Sequence, residues 1–290
     1  MVDELRAQGL TLKESLSTTG LSKSSYYYKN KLRSEKPLNP KLVTALGSLN
    51  HYELVYGYRK VTKWLEKKKG IKANHKAVLR HMQKLHITQP RKLKGLKGMP
   101  QLPYDEPRQS NERWEADLTY VWSGRDGQSY LFALIDGFDN EIIGDCFSQR
   151  CRAKEAILSL EKAVKYRFPN GIPKEHRLVL RVDRGTQYIA QEFREMAKTK
   201  GIILEFCGIR CPDDKPYIES FFASYKKEEV YRNEYETFEQ AELGWQSFKQ
   251  WYNTERLNQA LDYQVPSEVA LAELKKWSLE PERSLIGAGV

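Results

Sequence analysis

Cysteine is scarce and scattered in this chain. The 290 residues hold four, Cys146, Cys151, Cys207 and Cys211, with no CxxC pair and no dense spacing, which argues against a disulfide framework. Cys207-x3-Cys211 is a weak zinc signal that buried free thiols explain better. His75, His81 and His86 have no cysteine nearby in the sequence, so a His/His/Cys/Cys zinc module is not expected. No apolar run is long enough to cross a membrane and no leader pattern opens the chain, so the expectation is a soluble intracellular protein.

What is present in excess is basic charge. Lys and Arg total 48 against 38 Asp and Glu, for a net charge of +10 and a pI near 9.2. Residues 1–100 carry 22 basic and 6 acidic side chains, a net of +16, and the remaining residues a net of −6. A basic front on a nearly balanced back suggests an arm that holds polyanion and a body that does chemistry. A basic solvated surface is the plainer alternative.

The chain is organised around residues 183–226. Leu178–Val182 reads as a buried strand with Asp183 at its carboxyl end. Ile189, Phe193, Met196 and Ala197 recur at helical spacing, and Gly201 is a stop signal. A short strand at 202–207 follows. Asp214 is a candidate N-cap, and Pro216 suits the first turn of the next helix. There Ile218, Phe221, Phe222 and Tyr225 form the core stripe. Glu219 lies beside that stripe, and Lys226 lies two turns on along the same side. Thirty-five residues separate Asp183 from Glu219, and Lys226 comes seven after the Glu.

Upstream, residues 10–30 read as a small helix-turn-helix. Thr11-x-x-Glu14 is a capping box, Gly20 a turn, and Ser22 a cap for a helix that begins with Lys23 and ends in three tyrosines. Lys23 at a helix start suits phosphate contact, though a plain two-helix packing unit gives the same pattern. In residues 51–87, Val61, Trp64 and Leu65 mark one helix, ended by Gly70. Asn74 caps another, with Val78, Leu79, Met82 and Leu85 inward. Lys76, Arg80 and Lys84 form a basic stripe on its opposite face, suited to a duplex or simply to solvent. Pro90, Pro100, Pro103 and Pro107 with Arg91, Lys92, Lys94 and Lys97 mark a basic linker.

The body begins near Arg113. Trp114, Ala116, Leu118, Tyr120 and Trp122 alternate with Glu115, Asp117, Thr119 and Val121, a strand period that sets Asp117 opposite the aromatics. A turn at 123–127 and strands at 130–135 and 141–147 continue a meander. A helix follows, marked by Ala156, Ile157, Leu160, Ala163 and Val164. A last helix from Phe238 to about Arg256 carries Trp245, Phe248 and Trp251, and Arg256 reads as a structural ion-pair partner. The end, from Ser278, reads as weakly ordered.

These motifs resemble the DD(35)E core of retroviral integrases and bacterial insertion-sequence transposases. The matching residues are Trp114-x-x-Asp117-Leu118-Thr119-Tyr120, Asp183-Arg184-Gly185-x-Gln187-Tyr188, Ile218-Glu219-Ser220-Phe221-Phe222 and Lys226-x-Glu228. The nearest likeness is to OrfB transposases of two-frame, copy-out–paste-in elements, over about residues 10–270. Gly20–Tyr27, Tyr56–Arg59 with Asn74–Lys76, and Tyr252–Pro266 also resemble that family. Two positions depart from its pattern. Arg181-Val182 stands where the family has His-Ser, and Asp214-Lys215 where it has Asp-Asn.

The resemblance implies an α/β fold: an RNase H-like core, with a mixed five-stranded sheet flanked by helices, behind an all-α helix-turn-helix region. The domains would be 1–35 and 36–87, both helix-turn-helix; 88–112, a basic linker; 113–232, the catalytic core; and 233–290, a C-terminal helical extension. Asp117, Asp183 and Glu219 would converge as catalytic metal ligands. Hard oxygen donors without thiol or imidazole point to two Mg²⁺ ions, with Mn²⁺ as substitute. The pair would clamp a phosphodiester for in-line displacement, one activating water or a 3′-hydroxyl and the other stabilising the leaving oxygen. Lys226 and Arg184 would touch DNA. No tyrosine has the Arg/His surroundings of a tyrosine recombinase. The implied partners are terminal inverted repeats and target DNA, an OrfA-type protein or fusion, and further copies of the chain on DNA. The implied place is the bacterial cytoplasm, at the nucleoid. A repurposed DNA-binding protein and a metal nuclease without strand transfer are the alternatives.

Overall fold

The computed structural model describes residues 1–28, 36–89, 106–208 and 214–279. They form two compact units, residues 1–41 and residues from 42 onward. Cys211, the linker positions 90–105 and the chain end from 280 lie outside the described residues.

The first unit contains α1 (Val2–Ala7), α2 (Leu12–Thr19) and α3 (Lys23–Tyr27). The Thr11/Glu14 capping box forms, Gly20 takes φ 65°, and the Ser22 side chain accepts from Ser25 N. Tyr26 Oη donates to Asp3 Oδ1 at 2.5 Å, tying α3 to α1.

α4 (Pro40–Gly47) starts in the last residues of the first unit, and the second unit holds the rest of it with α5 (Tyr58–Lys69) and α6 (His75–Lys84). Gly70 at φ 66° ends α5, and the Asn74 side chain caps α6. The strands are β1 (Arg113–Ser123), β2 (Gly127–Asp136), β3 (Ile142–Ser148), β4 (Val179–Val182) and β5 (Ile203–Phe206). Their order is β3-β2-β1-β4-β5, with β1–β3 antiparallel neighbours and β1, β4 and β5 parallel. The helices are α7 (Ala153–Arg167), α8 (Thr186–Ile189), α9 (Gln191–Thr199), α10 (Pro216–Glu228), α11 (Phe238–Thr254) and α12 (Pro266–Leu279). This is the RNase H-like arrangement: a mixed five-stranded sheet with a helical layer on each face.

Alternation along the strands builds two cores. Trp114, Ala116, Phe132, Leu134 and Leu180 face α7 and α9. Val121, Leu131, Ala133 and Ile135 face α10 and α11, and there the core runs on into Trp64, Leu65, Val78 and Met82 of α5 and α6. Aromatic rings make that junction. Tyr52 stacks on Trp251 with ring centroids 4.5 Å apart, and Phe221 packs edge-on to Tyr252 at 4.9 Å.

Two local expectations are corrected, and the end of β1 differs from the rest of the strand. Tyr120 and Trp122 alternate with the core residues yet lie 58% and 67% exposed, because β4 pairs with β1 only as far as Glu115 and the strand end runs beyond it. The helix expected through Ile189 is broken: Ala190 takes an extended backbone, which splits α8 from α9 and leaves Ile189 exposed. Asp214 does not cap α10. Its carboxylate accepts Gly208 N, and Lys215 stands at the cap position.

Candidate active site

The register of β1 on β4 places the acids. Arg113, Trp114 and Glu115 pair in parallel with Val179, Leu180 and Arg181, a constant offset. Carried two residues further, the same offset sets Asp117 level with Asp183, and parallel partners share a face. The Asp117 carboxylate has a local partner: its Oδ1 accepts Leu118 N at 2.9 Å. Asp183 Oδ1 accepts Gly185 N at 2.8 Å at the turn after β4.

The row beneath holds α10 in place. Glu115, fully buried, accepts Tyr217 N at 3.0 Å and Ile218 N at 2.9 Å through one oxygen, Oε2. It thus satisfies two of the four donors that a helix start leaves unpaired. Burial pushes its carboxyl up to about 7, against the opposing pull of Ile218 N–H and the nearby Arg181 guanidinium. Arg181 donates to Glu205 Oε2 and to the Asp214 carbonyl, both at 2.8 Å, and so pins the residue that precedes Lys215.

Lys215 completes the site. Its Nζ lies 3.0 Å from Asp117 Oδ1 and 3.6 Å from Asp183 Oδ2, and donates to the Ala116 carbonyl at 3.5 Å. The lysine side chain is 7% exposed, Asp117 19% and Asp183 40%. Burial raises the Asp117 carboxyl, Lys215 opposes that rise, and Asp183 adds to it.

Glu219 lies one turn further along α10, half-buried, and its N–H donates to the Lys215 carbonyl at 3.1 Å. Among the described residues no three His, Cys, Asp or Glu side chains gather as a metal site. The structure therefore brings Asp117 and Asp183 together around one cation, with Glu219 on the next turn of the helix that carries that cation. Two carboxylates set about a single positive charge are hard oxygen donors, of the kind a hard divalent ion takes.

The other candidate residues are spread out. Lys226 sits with its Nζ 5.0 Å from the centre of the exposed Tyr120 ring. Arg184 is exposed and donates to the Cys207 carbonyl at 3.3 Å. On α6, Lys76 and Lys84 are exposed and Arg80 is half-buried, and Lys23 is exposed at the start of α3. Arg256 is the structural pair expected of it, bidentate on buried Glu228 at 2.6 and 2.7 Å. Sequence reasoning passed over Glu115, Arg181 and Lys215 as site residues. Two of the three sit at the departures from the family pattern, which was the available signal. Glu115 carried none.

Residues 107–212 match a model of the integrase core domain, residues 200–266 a second integrase core domain model, and residues 49–95 an HTH-like domain. A protein of Escherichia coli (strain K12) named as transposase InsK for insertion sequence element IS150 is 28% identical over 280 residues, 92% of this chain and 96% of that one. The uncharacterized 31.7 kDa protein of insertion element IS407 from Burkholderia multivorans (strain ATCC 17616 / 249) is 27% identical over 254 residues, 87% of each. Among solved structures, the simian T-cell lymphotropic virus intasome in complex with PP2A regulatory subunit B56 gamma aligns over 76% of this chain and 74% of that one, at TM-score 0.48 and 15% identity.

Proposed function

The chain carries an integrase core domain behind an HTH-like domain and is related to insertion-sequence transposases, and from that premise we propose a DDE transposase that cleaves DNA at element ends and joins 3′-hydroxyl ends to target DNA. The observation that carries this reading is the shared row of Asp117 and Asp183 about one positive charge, at the foot of the helix that bears Glu219.

Asp117, Asp183 and Glu219 are the residues that would hold Mg²⁺, or Mn²⁺ as substitute, whose Lewis acidity serves in-line phosphodiester displacement. Glu115 and Arg181 set the start of α10, and with it the position of Glu219 relative to the two strands. The site is open on the Asp183 side, as a polymeric substrate requires. Arg184, next to Asp183 in sequence, and Lys226, seven residues after Glu219, would take phosphate oxygens. Lys76, Arg80 and Lys84 on α6, and Lys23 on α3, would bind the duplex through its backbone, releasing counterions as they do. The segments 1–35 and 36–87 would grip the element end, 88–112 would follow the DNA, and 233–290 would brace the core. Terminal repeats, an OrfA-type partner and further copies of this chain are the partners that fit. No helix among the described residues is long and apolar enough to cross a membrane, which suits work at the bacterial nucleoid.

The test is cleavage of element-end duplexes with Mg²⁺ or Mn²⁺, wild type against Glu219→Gln. Losing an outer partner of a metal site costs about 10–100-fold, and losing a ligand should exceed that. Joining of a 3′-hydroxyl end to target DNA distinguishes a transposase from a simple nuclease. The fixed ammonium between the aspartates favours a second reading, a repurposed DNA-binding protein. Absence of cleavage by both proteins, with DNA binding retained, would leave that one standing.

A further inference from the structure

Lys215 is held at its position by more than its ion pairs. It precedes Pro216 at the start of α10, its carbonyl accepts the first-turn Glu219 N–H, and the helix start is fastened to β1 through Glu115. Its backbone therefore cannot drift, and only its side-chain torsions can move the ammonium. Its ammonium lies 3.0 Å from Asp117 Oδ1 and 3.5 Å from the Ala116 carbonyl, and faces Asp183 Oδ2 at 3.6 Å as an ion pair without a hydrogen bond. Lys215 and Asp117 are 7% and 19% exposed, so water screens their contact little, whereas Asp183, 40% exposed, is screened more. Two neighbouring carboxylates with no cation between them would repel each other.

We propose that Lys215 is a resident counter-cation: it holds Asp117 and Asp183 in register without metal and competes with a divalent ion for them, so that metal enters only as the ammonium swings out. This rests on the reading of the two aspartates as metal ligands. It makes metal occupancy of this site conditional, since a bound ion must displace a charge already satisfied there.

The test is Mn²⁺ binding to the full chain without DNA, followed by electron paramagnetic resonance of the free ion. Lys215→Met removes the charge at similar length. Lys215→Asn removes it while supplying a good helix cap, so that one neutral variant folds even where the other does not. Lys215→Arg keeps the charge. Both neutral variants should bind Mn²⁺ at least about tenfold more tightly than wild type, the low end of what one opposite charge at this range does to a carboxylate's affinity for a cation. Lys215→Arg should bind as weakly as wild type. Adding Asp183→Asn to Lys215→Met should abolish the gain.

Equal affinity in wild type and neutral variants would overturn the competition and leave the metal-site reading intact. Tightening that survives Asp183→Asn would place the ion elsewhere and overturn it too. No binding in any protein would bring down the proposal together with the metal-site reading.

Discussion

Glu115 shows what one side chain can do from below a site. One of its oxygens takes two N–H groups of α10, while Oε1 is buried and finds no hydrogen-bond partner among the described residues. A proton on Oε1 would relieve the cost of burying the charge, in line with a carboxyl pushed from 4.5 up to about 7. A carboxyl raised on folding contributes stability that is complete below its ordinary value and is lost as the pH climbs through the folded one. Between 4.5 and about 7 the folded state thus binds the extra proton, and stability should fall across that window. Glu115→Gln keeps an acceptor for both N–H groups and cannot titrate. Urea denaturation on either side of the window should show wild type losing up to roughly 3 kcal/mol more than the variant. Equal losses would mean that Glu115 stays ionised throughout.

At the scale of elements, the sheet and its helices meet closely enough that single atoms matter. Gly144 in β3 lies under α7, where an added Cβ would run into the Ser159 carbonyl and stand 2.7 Å from Ala163 Cβ. The obstacle is backbone and cannot rotate away. Gly144→Ala should cost about 1–3 kcal/mol, the usual cost of overpacking, read as a lowered midpoint in denaturant. An unchanged midpoint would mean that α7 slides on the sheet. The same closeness explains α10. Its cap is not a side chain of its own N-terminus but Glu115 from β1, so the helix carrying Glu219 is registered on the sheet by a contact 103 residues distant in sequence.

Across the second unit, the α5–α6 pair and the core share one hydrophobic interior. Trp251 is 5% exposed and lies between Tyr52 and Phe248, with ring centroids 4.5 Å and 5.7 Å away. Trp251→Ala should destabilise by about 3–5 kcal/mol, as large-to-small changes in a core do. Loss of Tyr52-side and core structure in a single transition is expected, since the cavity opens between both. Two separate transitions would show that the HTH-like pair and the sheet unfold independently.

Much of this was legible in the chain alone. The order of strands and helices, the caps at Thr11, Ser22 and Asn74 and the glycine stops all follow from periodicity and turn chemistry, which are local properties. Local pattern could not show that β4 stops pairing at Glu115 and exposes Tyr120 and Trp122, nor that Ala190 splits a helix. Nor could it show that Lys215 rather than Asp214 begins α10 and reaches both aspartates. Those depend on register and on which groups meet across the sheet. The chain by itself therefore determined the order of the elements and where its helices start and stop, because periodicity and turn chemistry are written in it. Only the tertiary structure decided what stands between Asp117 and Asp183, because the ammonium is carried there by a helix whose start is fastened to another strand.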